Sequence, residues 1–158
     1  MSVAARVGGT ALVMTLALAS GCAQKPVDAT PEGAVRELLE RMEHAEGEGD
    51  EAATRGVYEL LAAPTREALE LRAARASAAT ARRVSPADMI APAHFSFRFR
   101  PRQFKAKTTG DRATVDVVGI DPAVDRASVP CVREDGHWRV EIPLPPLPPV
   151  QHRPDGGT

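Results

Sequence analysis

The two cysteines of this 158-residue chain stand in different settings, and the first is the strongest chemical signal in the sequence. Cys22 closes the stretch LALASGC, directly behind Ala19, Ser20 and Gly21. A thiolate is the nucleophile in cysteine chemistry, so a thiol behind small residues can be alkylated at sulfur where a serine would react poorly. The residues before it say when that would happen. Met1 to Arg6 carries one arginine and the amino terminus, and Val7 to Ala19 is almost wholly apolar or small. A bilayer span needs ~20 such residues, whereas an export signal has a basic start, a shorter apolar centre of ~7–15 residues and a small-residue cut. The length selects the signal, so residues 1–21 are expected to be a signal peptide.

Gly21 and Cys22 resemble the lipobox of bacterial lipoproteins, in which a small residue at the cut precedes the cysteine that takes a diacylglyceryl group. Ser20 fits that pattern, while Ala19 stands where leucine is usual and Leu18 lies one place early. The resemblance implies lipid attachment at Cys22, with two or three chains. One chain holds a protein only marginally, at ~0.8 kcal/mol per buried methylene, so several make a durable anchor. It also implies an exported protein on the periplasmic or outer face of a bacterial membrane. Ala23 replaces the aspartate that retains many lipoproteins at the inner membrane of enteric bacteria, which favours the outer membrane. The alternative is a secreted protein whose Cys22 is free or disulfide-bonded.

Little else in the chain suggests chemistry. A net charge of −1 gives no general attraction to nucleic acid or to an anionic surface. His44, His94, His137 and His152 lie far apart without a Cys/His cluster, so no metal site and no cofactor is expected. Asp116, between Val115 and Val117, falls on the solvated face if the valines are core. His94 and His137 lie at expected strand ends, and Asp88 follows a Ser-Pro turn and can cap a short helical turn. No dyad or triad emerges, and catalysis is not expected. The segment RFRPRQFKAK collects Arg98, Arg100, Arg102, Lys105 and Lys107, with Phe99 and Phe104 interleaved and Phe97 just before it. Alternation sends the two types to opposite faces, which argues for a solvated strand face rather than a stacking platform for nucleic acid. Contact with lipid headgroups or a wall polymer is the second reading of that segment.

The elements that must position these residues follow from periodicity. Residues 22–29 read as a polar tether, residues 30–143 as one α+β domain, and residues 144–158 as a proline-rich disordered tail with polyproline II character. Thr30 is placed to cap a first helix, with Pro31 at its first position, Glu32 at the positive end of its dipole and Val35, Leu38, Leu39 and Met42 on one stripe. EGEGDE interrupts it before a second helix with Ala53, Val57, Leu60 and Leu61, which Pro64 is expected to end. Thr65 is expected to cap a third, alanine-rich helix whose shallow face, Leu69, Ala73 and Ala76, would lie over a sheet with its arginines solvated.

Beyond Pro86 the period becomes two. HFSFRFR is expected as a first strand with Phe95, Phe97 and Phe99 on one face, RATVDVVGI as a second after Gly110 and Asp111, and a third and fourth joined at Asp135–Gly136. That turn sets Glu134 opposite His137 and Cys131 opposite Val140, which places Val129, Cys131, Trp138, Val140 and Ile142 on the buried face.

TPEGAVRELLERM, TGDRATVDVVG and REDGHWRVEI resemble small bacterial lipoprotein domains of the nuclear-transport-factor-2-like superfamily, over Thr30 to Pro143. The resemblance implies N-terminal helices packed on a curved four-stranded antiparallel sheet, a cone around a pocket. Members range from isomerases and hydratases to binding modules, so fold alone assigns no activity. Two expectations remain. One is a noncatalytic binding or scaffold domain that engages an envelope protein or forms a homodimer through the open sheet face. The other is a small-molecule pocket, used for binding or for proton transfer.

Overall fold

A computed structural model describes residues 26–48, 51–90 and 97–149. It is an α+β structure of three helices, α1 (Pro31–Glu48), α2 (Glu51–Glu59) and α3 (Ala63–Thr80), and four strands, β1 (Gln103–Thr109), β2 (Arg112–Val118), β3 (Arg126–Glu134) and β4 (His137–Val140). The strands form an antiparallel meander in the order β1-β2-β3-β4, and the sheet is not closed.

The start of α1 follows the residues that announce it. Thr30 Oγ1 accepts a hydrogen bond from the Gly33 amide at 3.1 Å, and Val35, Leu38 and Met42 are buried. Glu32, besides standing in the first turn, accepts the Ala106 amide of β1 at 3.0 Å and so occupies a donor on an edge strand. The opposite edge is closed by backbone: Leu61 bridges Val140 in parallel, with Ala62 N–H to Val140 O and Val140 N–H to Leu60 O, both at 2.8 Å.

Three local expectations need correction. Pro64 does not end α2, which stops at Glu59; it lies in the first turn of α3, where its missing N–H costs nothing. Thr65 is therefore inside the helix rather than capping it. Its buried hydroxyl accepts from the Ile142 amide at 2.9 Å and donates to Ile142 O at 3.1 Å. The cap is supplied from the sheet instead, by Glu134, whose Oε1 accepts the Ala63 amide at 2.8 Å while Oε2 takes Arg66 at 3.1 Å. The third correction concerns which helix covers the sheet. It is α1 that packs on β1, β2 and β4, whereas α3 packs beside them against a 3-10 turn at Ala87–Met89.

The expected first strand is also displaced. Phe97 to Arg100 carries no strand, and Phe95 and His94 lie outside the described residues. Pro101 has no amide to donate, and the ladder begins just beyond it, with Arg102 N–H to Val118 O at 2.8 Å. The Phe97 and Phe99 rings stack at 5.2 Å and lie against the core, with Arg98 and Arg100 exposed between and after them.

The closing hairpin follows its turn. Asp135 and Gly136 both take positive φ, 50° and 84°, and Glu134 pairs with His137, Arg133 with Trp138 and Cys131 with Val140. Ala113, Val115, Val117, Cys131, Trp138 and Val140 are buried, together with Val57, Leu60, Leu61 and Leu69 from the helical side. Among the described residues no helix is long and apolar enough to cross a membrane.

Candidate functional site

Cys22 lies outside the described residues. What the structure places is the chain that follows it. Residues 26–29, assigned from sequence to the tether, are folded onto the domain: a 3-10 turn at Val27–Ala29 packs on α1 and β4. Gly33 permits that approach, because a Cβ there would stand 2.0 Å from Val27 O.

The turn carries Asp28, whose side chain is 13% exposed. Alternation along β4 sets Trp138 and Val140 to the core and His137 and Arg139 to the other side. Both of the latter converge on Asp28. His137 Nδ1 lies 3.0 Å from Oδ1, and Arg139 donates through one guanidinium nitrogen to Oδ2 at 2.5 Å. Burial alone would raise the Asp28 pKa, but the hydrogen bonds from Arg139 and His137 and their charges outweigh it and hold the carboxyl below its ordinary value. Beside it a cavity of about 290 Å³ is lined by Val27, Asp28, Arg41, Glu59 and Arg139. Arg41 is already engaged, by Glu37 at 2.7 Å and by Gly56 O at 2.9 Å. Asp28, His137 and Arg139 together clasp the chain segment onto β4.

The register fixes where this clasp lies. The β1–β2 turn and the β3–β4 turn share one end of the meander, and His137 opens β4 there. The β2–β3 loop and the start of β1 occupy the other end, about 20 Å away along β2. In that loop Ile120 is 73% and Val124 75% exposed. The loop backbone is nonetheless well satisfied. Gly119 N–H reaches Asp125 O at 2.8 Å, Asp125 N–H reaches Asp121 O at 2.7 Å, and Asp121 Oδ1 accepts the Ala123 amide at 3.0 Å. The two apolar side chains are thus held outward by an ordered loop. Phe99 packs against its base, where a Cβ at Gly119 would meet Phe99 Cδ2 at 2.8 Å, and exposed Arg98, Arg100 and Arg102 adjoin it.

The remaining sequence candidates are dispersed. Asp116 lies on the outer sheet face, accepting from Ser128 Oγ at 2.9 Å and paired with Lys107 at 3.4 Å, and the Ser128 hydrogen bond lowers its pKa. Lys105 is exposed on the same face, so the open side of the sheet is polar. Asp88 Oδ2 accepts the Ser85 amide at 2.8 Å while Ser85 Oγ accepts the Asp88 amide at 3.2 Å, a reciprocal cap for the Ala87–Met89 turn. His44 Nδ1 lies 2.6 Å from Glu40 O within its own helix. His152 lies outside the described residues. Cys131 is buried, and burial, with the Glu32 charge behind it, pushes its thiol up to about 12. Among the described residues no three His, Cys, Asp or Glu side chains gather as a metal site would require.

An apolar groove of about 160 Å³ opens between α1 and β3–β4, lined by Val35, Leu38, Leu39, Phe97, Val129 and Ile142. Glu141, the carboxylate on its rim, is paired with Arg112 at 3.5 Å.

Sequence reading missed both Asp28, because a lone aspartate in a polar segment carries no signal, and Arg139, whose outward position follows from the alternation that buries Trp138 and Val140. Comparison with protein-family models, with curated proteins and with solved structures returned no match for this chain.

Proposed function

We propose that this chain is a bacterial lipoprotein, exported and anchored through Cys22 to the periplasmic face of a membrane, the outer membrane by preference. Its noncatalytic domain serves as a binding or scaffold module for another envelope protein. In this reading the α+β domain is of the nuclear-transport-factor-2-like kind, supported by α1 laid on one face of a four-stranded antiparallel meander.

The observation that carries the proposal is the placing of the two ends. Asp28 lies only six positions beyond Cys22, a reach of at most ~21 Å when fully extended. Because Asp28 is clasped by His137 and Arg139, the anchor would hold that end of the sheet near the membrane and turn Ile120 and Val124 away from it. An ordered loop that spends two apolar side chains on solvent, beside three exposed arginines, suits a partner with an apolar patch and acidic rim. The polar outer sheet face does not suit an apolar dimer contact.

Two experiments in the native host test this. Metabolic labelling with a clickable fatty acid is expected to mark the wild type and not Cys22→Ala, which should leave the membrane; membrane association without label overturns the anchor. A photo-cross-linker at Ile120 or Val124 is expected to trap one envelope protein, and the same probe at Arg133 should not. Equal adducts from both ends, or none from either, overturn the scaffold assignment.

The groove under α1 supports a second, weaker reading, a pocket for a small apolar ligand. Its one carboxylate is ion-paired, so the lining favours binding over proton transfer.

A further inference from the structure

The proline-rich segment after the domain is not free where it is described. Residues 143–149, PLPPLPP, carry no helix or strand, yet their burial repeats every three residues: Leu144 and Leu147 are half-buried and the five prolines exposed. Leu144 packs against the core cluster. A period of three is that of the polyproline II helix, which makes no internal hydrogen bonds and leaves every carbonyl available. Two of those carbonyls are taken by α3. Arg72 donates to Pro145 O, and Arg75 donates to Pro148 O at 2.8 Å. The acceptors are three residues apart on the strand and the donors three apart on the helix, so each turn of one meets one arginine of the other. Arg72 is braced by its second contact, to Ala68 O at 3.0 Å. The strand is delivered to this face by the double hydrogen bond between Thr65 and Ile142.

We propose that the α3 face bearing Arg72 and Arg75 is a receptor for polyproline II strands with a Leu-Pro-Pro repeat, and that the chain's own residues 143–149 are its resident ligand. The recognition has two parts. Arginine forks bind backbone carbonyls, which any residue supplies, so they select the extended shape. The inward position at every third residue selects leucine, and proline between them keeps the strand stiff without offering an amide that would need a partner. A strand of the same repeat from another protein meets the same donors and competes with the tail. This assignment is independent of the lipid anchor.

The test uses the lipid-free full chain, Cys22→Ser, with the site vacated by replacing Pro145, Pro146, Pro148 and Pro149 with glycine or serine. A fluorescent PLPPLPP peptide is expected to bind this chain saturably, and a Gly/Ser peptide of equal length is not. Arg72→Gln or Arg75→Gln should each weaken binding about tenfold. No saturable binding, or binding indifferent to both arginines, overturns the proposal. A second measurement needs no vacated site. A spin label at Pro149→Cys in the otherwise native tail is expected to be immobilised and to be freed by Arg72→Gln/Arg75→Gln. A label equally mobile in both overturns the proposal.

Discussion

The two ends of the meander solve opposite problems with similar materials. At one end a charged residue is taken out of water and made tolerable by two partners: Asp28 between His137 and Arg139. At the other, apolar residues are held in water by a loop that its own hydrogen bonds order. The first end is built to stay closed, since opening it would strand a carboxylate and a guanidinium. The second is built to stay available, because nothing in the loop would be lost if Ile120 and Val124 were covered. The proposed scaffold, anchored at one end and engaged at the other, would use this asymmetry.

The asymmetry can be attacked first at the clasp. Asp28→Ala is expected to cost about 2–3 kcal/mol, because it removes two charge-assisted hydrogen bonds and leaves the largely buried Arg139 without its carboxylate, holding only the Trp138 carbonyl at 3.3 Å. Urea unfolding of the lipid-free Cys22→Ser chain measures it, and Cys131 supplies an independent readout. That thiol, buried and pushed up to about 12, is expected to be inert to reagents in the native chain and to label faster in proportion to the lost stability. A native chain that labels rapidly would contradict the buried placement of Cys131.

Gly33→Ala attacks the same end sterically. Its Cβ would fall 2.0 Å from Val27 O, so the 3-10 turn must lift from α1, at a cost of about 1–3 kcal/mol. In the Asp28→Ala background the two effects should be less than additive, since both release one segment.

Acid should act on the clasp in the same direction. The folded-state pKa of Asp28 lies below 3.8, its ordinary value, so its contribution is complete above that pH and is lost as pH falls through the folded value. The difference in stability between wild type and Asp28→Ala is therefore expected to shrink below about pH 4. A difference independent of pH down to full protonation would remove the charge from the explanation.

The smallest stability effect belongs to the far end. Ile120→Ser and Val124→Ser are expected to change stability by less than about 0.5 kcal/mol, because both side chains are already in water. A large loss in either would mean that the loop is structural and would dissolve the contrast between the ends.

Several particulars of this fold were legible in the residues. Thr30-Pro31 marked the start of α1 because the cap and the fixed φ act locally. Asp135–Gly136 set the closing hairpin and, through a period of two, the burial of Cys131. The strand at Phe97 was misplaced because alternation alone does not register that Pro101 lacks a ladder donor, and β1, with Lys105 and Lys107 between weaker apolar residues, gave little contrast.

What the sequence determined by itself is local: the helical stripes, the turns and the alternation that sorts each strand's faces. Each rests on neighbours within a few bonds, so spacing is sufficient evidence. What only the tertiary structure decided is every partnership across the chain. Asp28 joins His137 and Arg139 at a separation of more than one hundred residues, Glu134 caps α3, and Arg72 and Arg75 hold the proline strand. No spacing encodes such pairs. They arise because the closed hairpin, the bridge at Leu61 and the Thr65–Ile142 bonds bring distant charges to one place, where burial makes a partner obligatory.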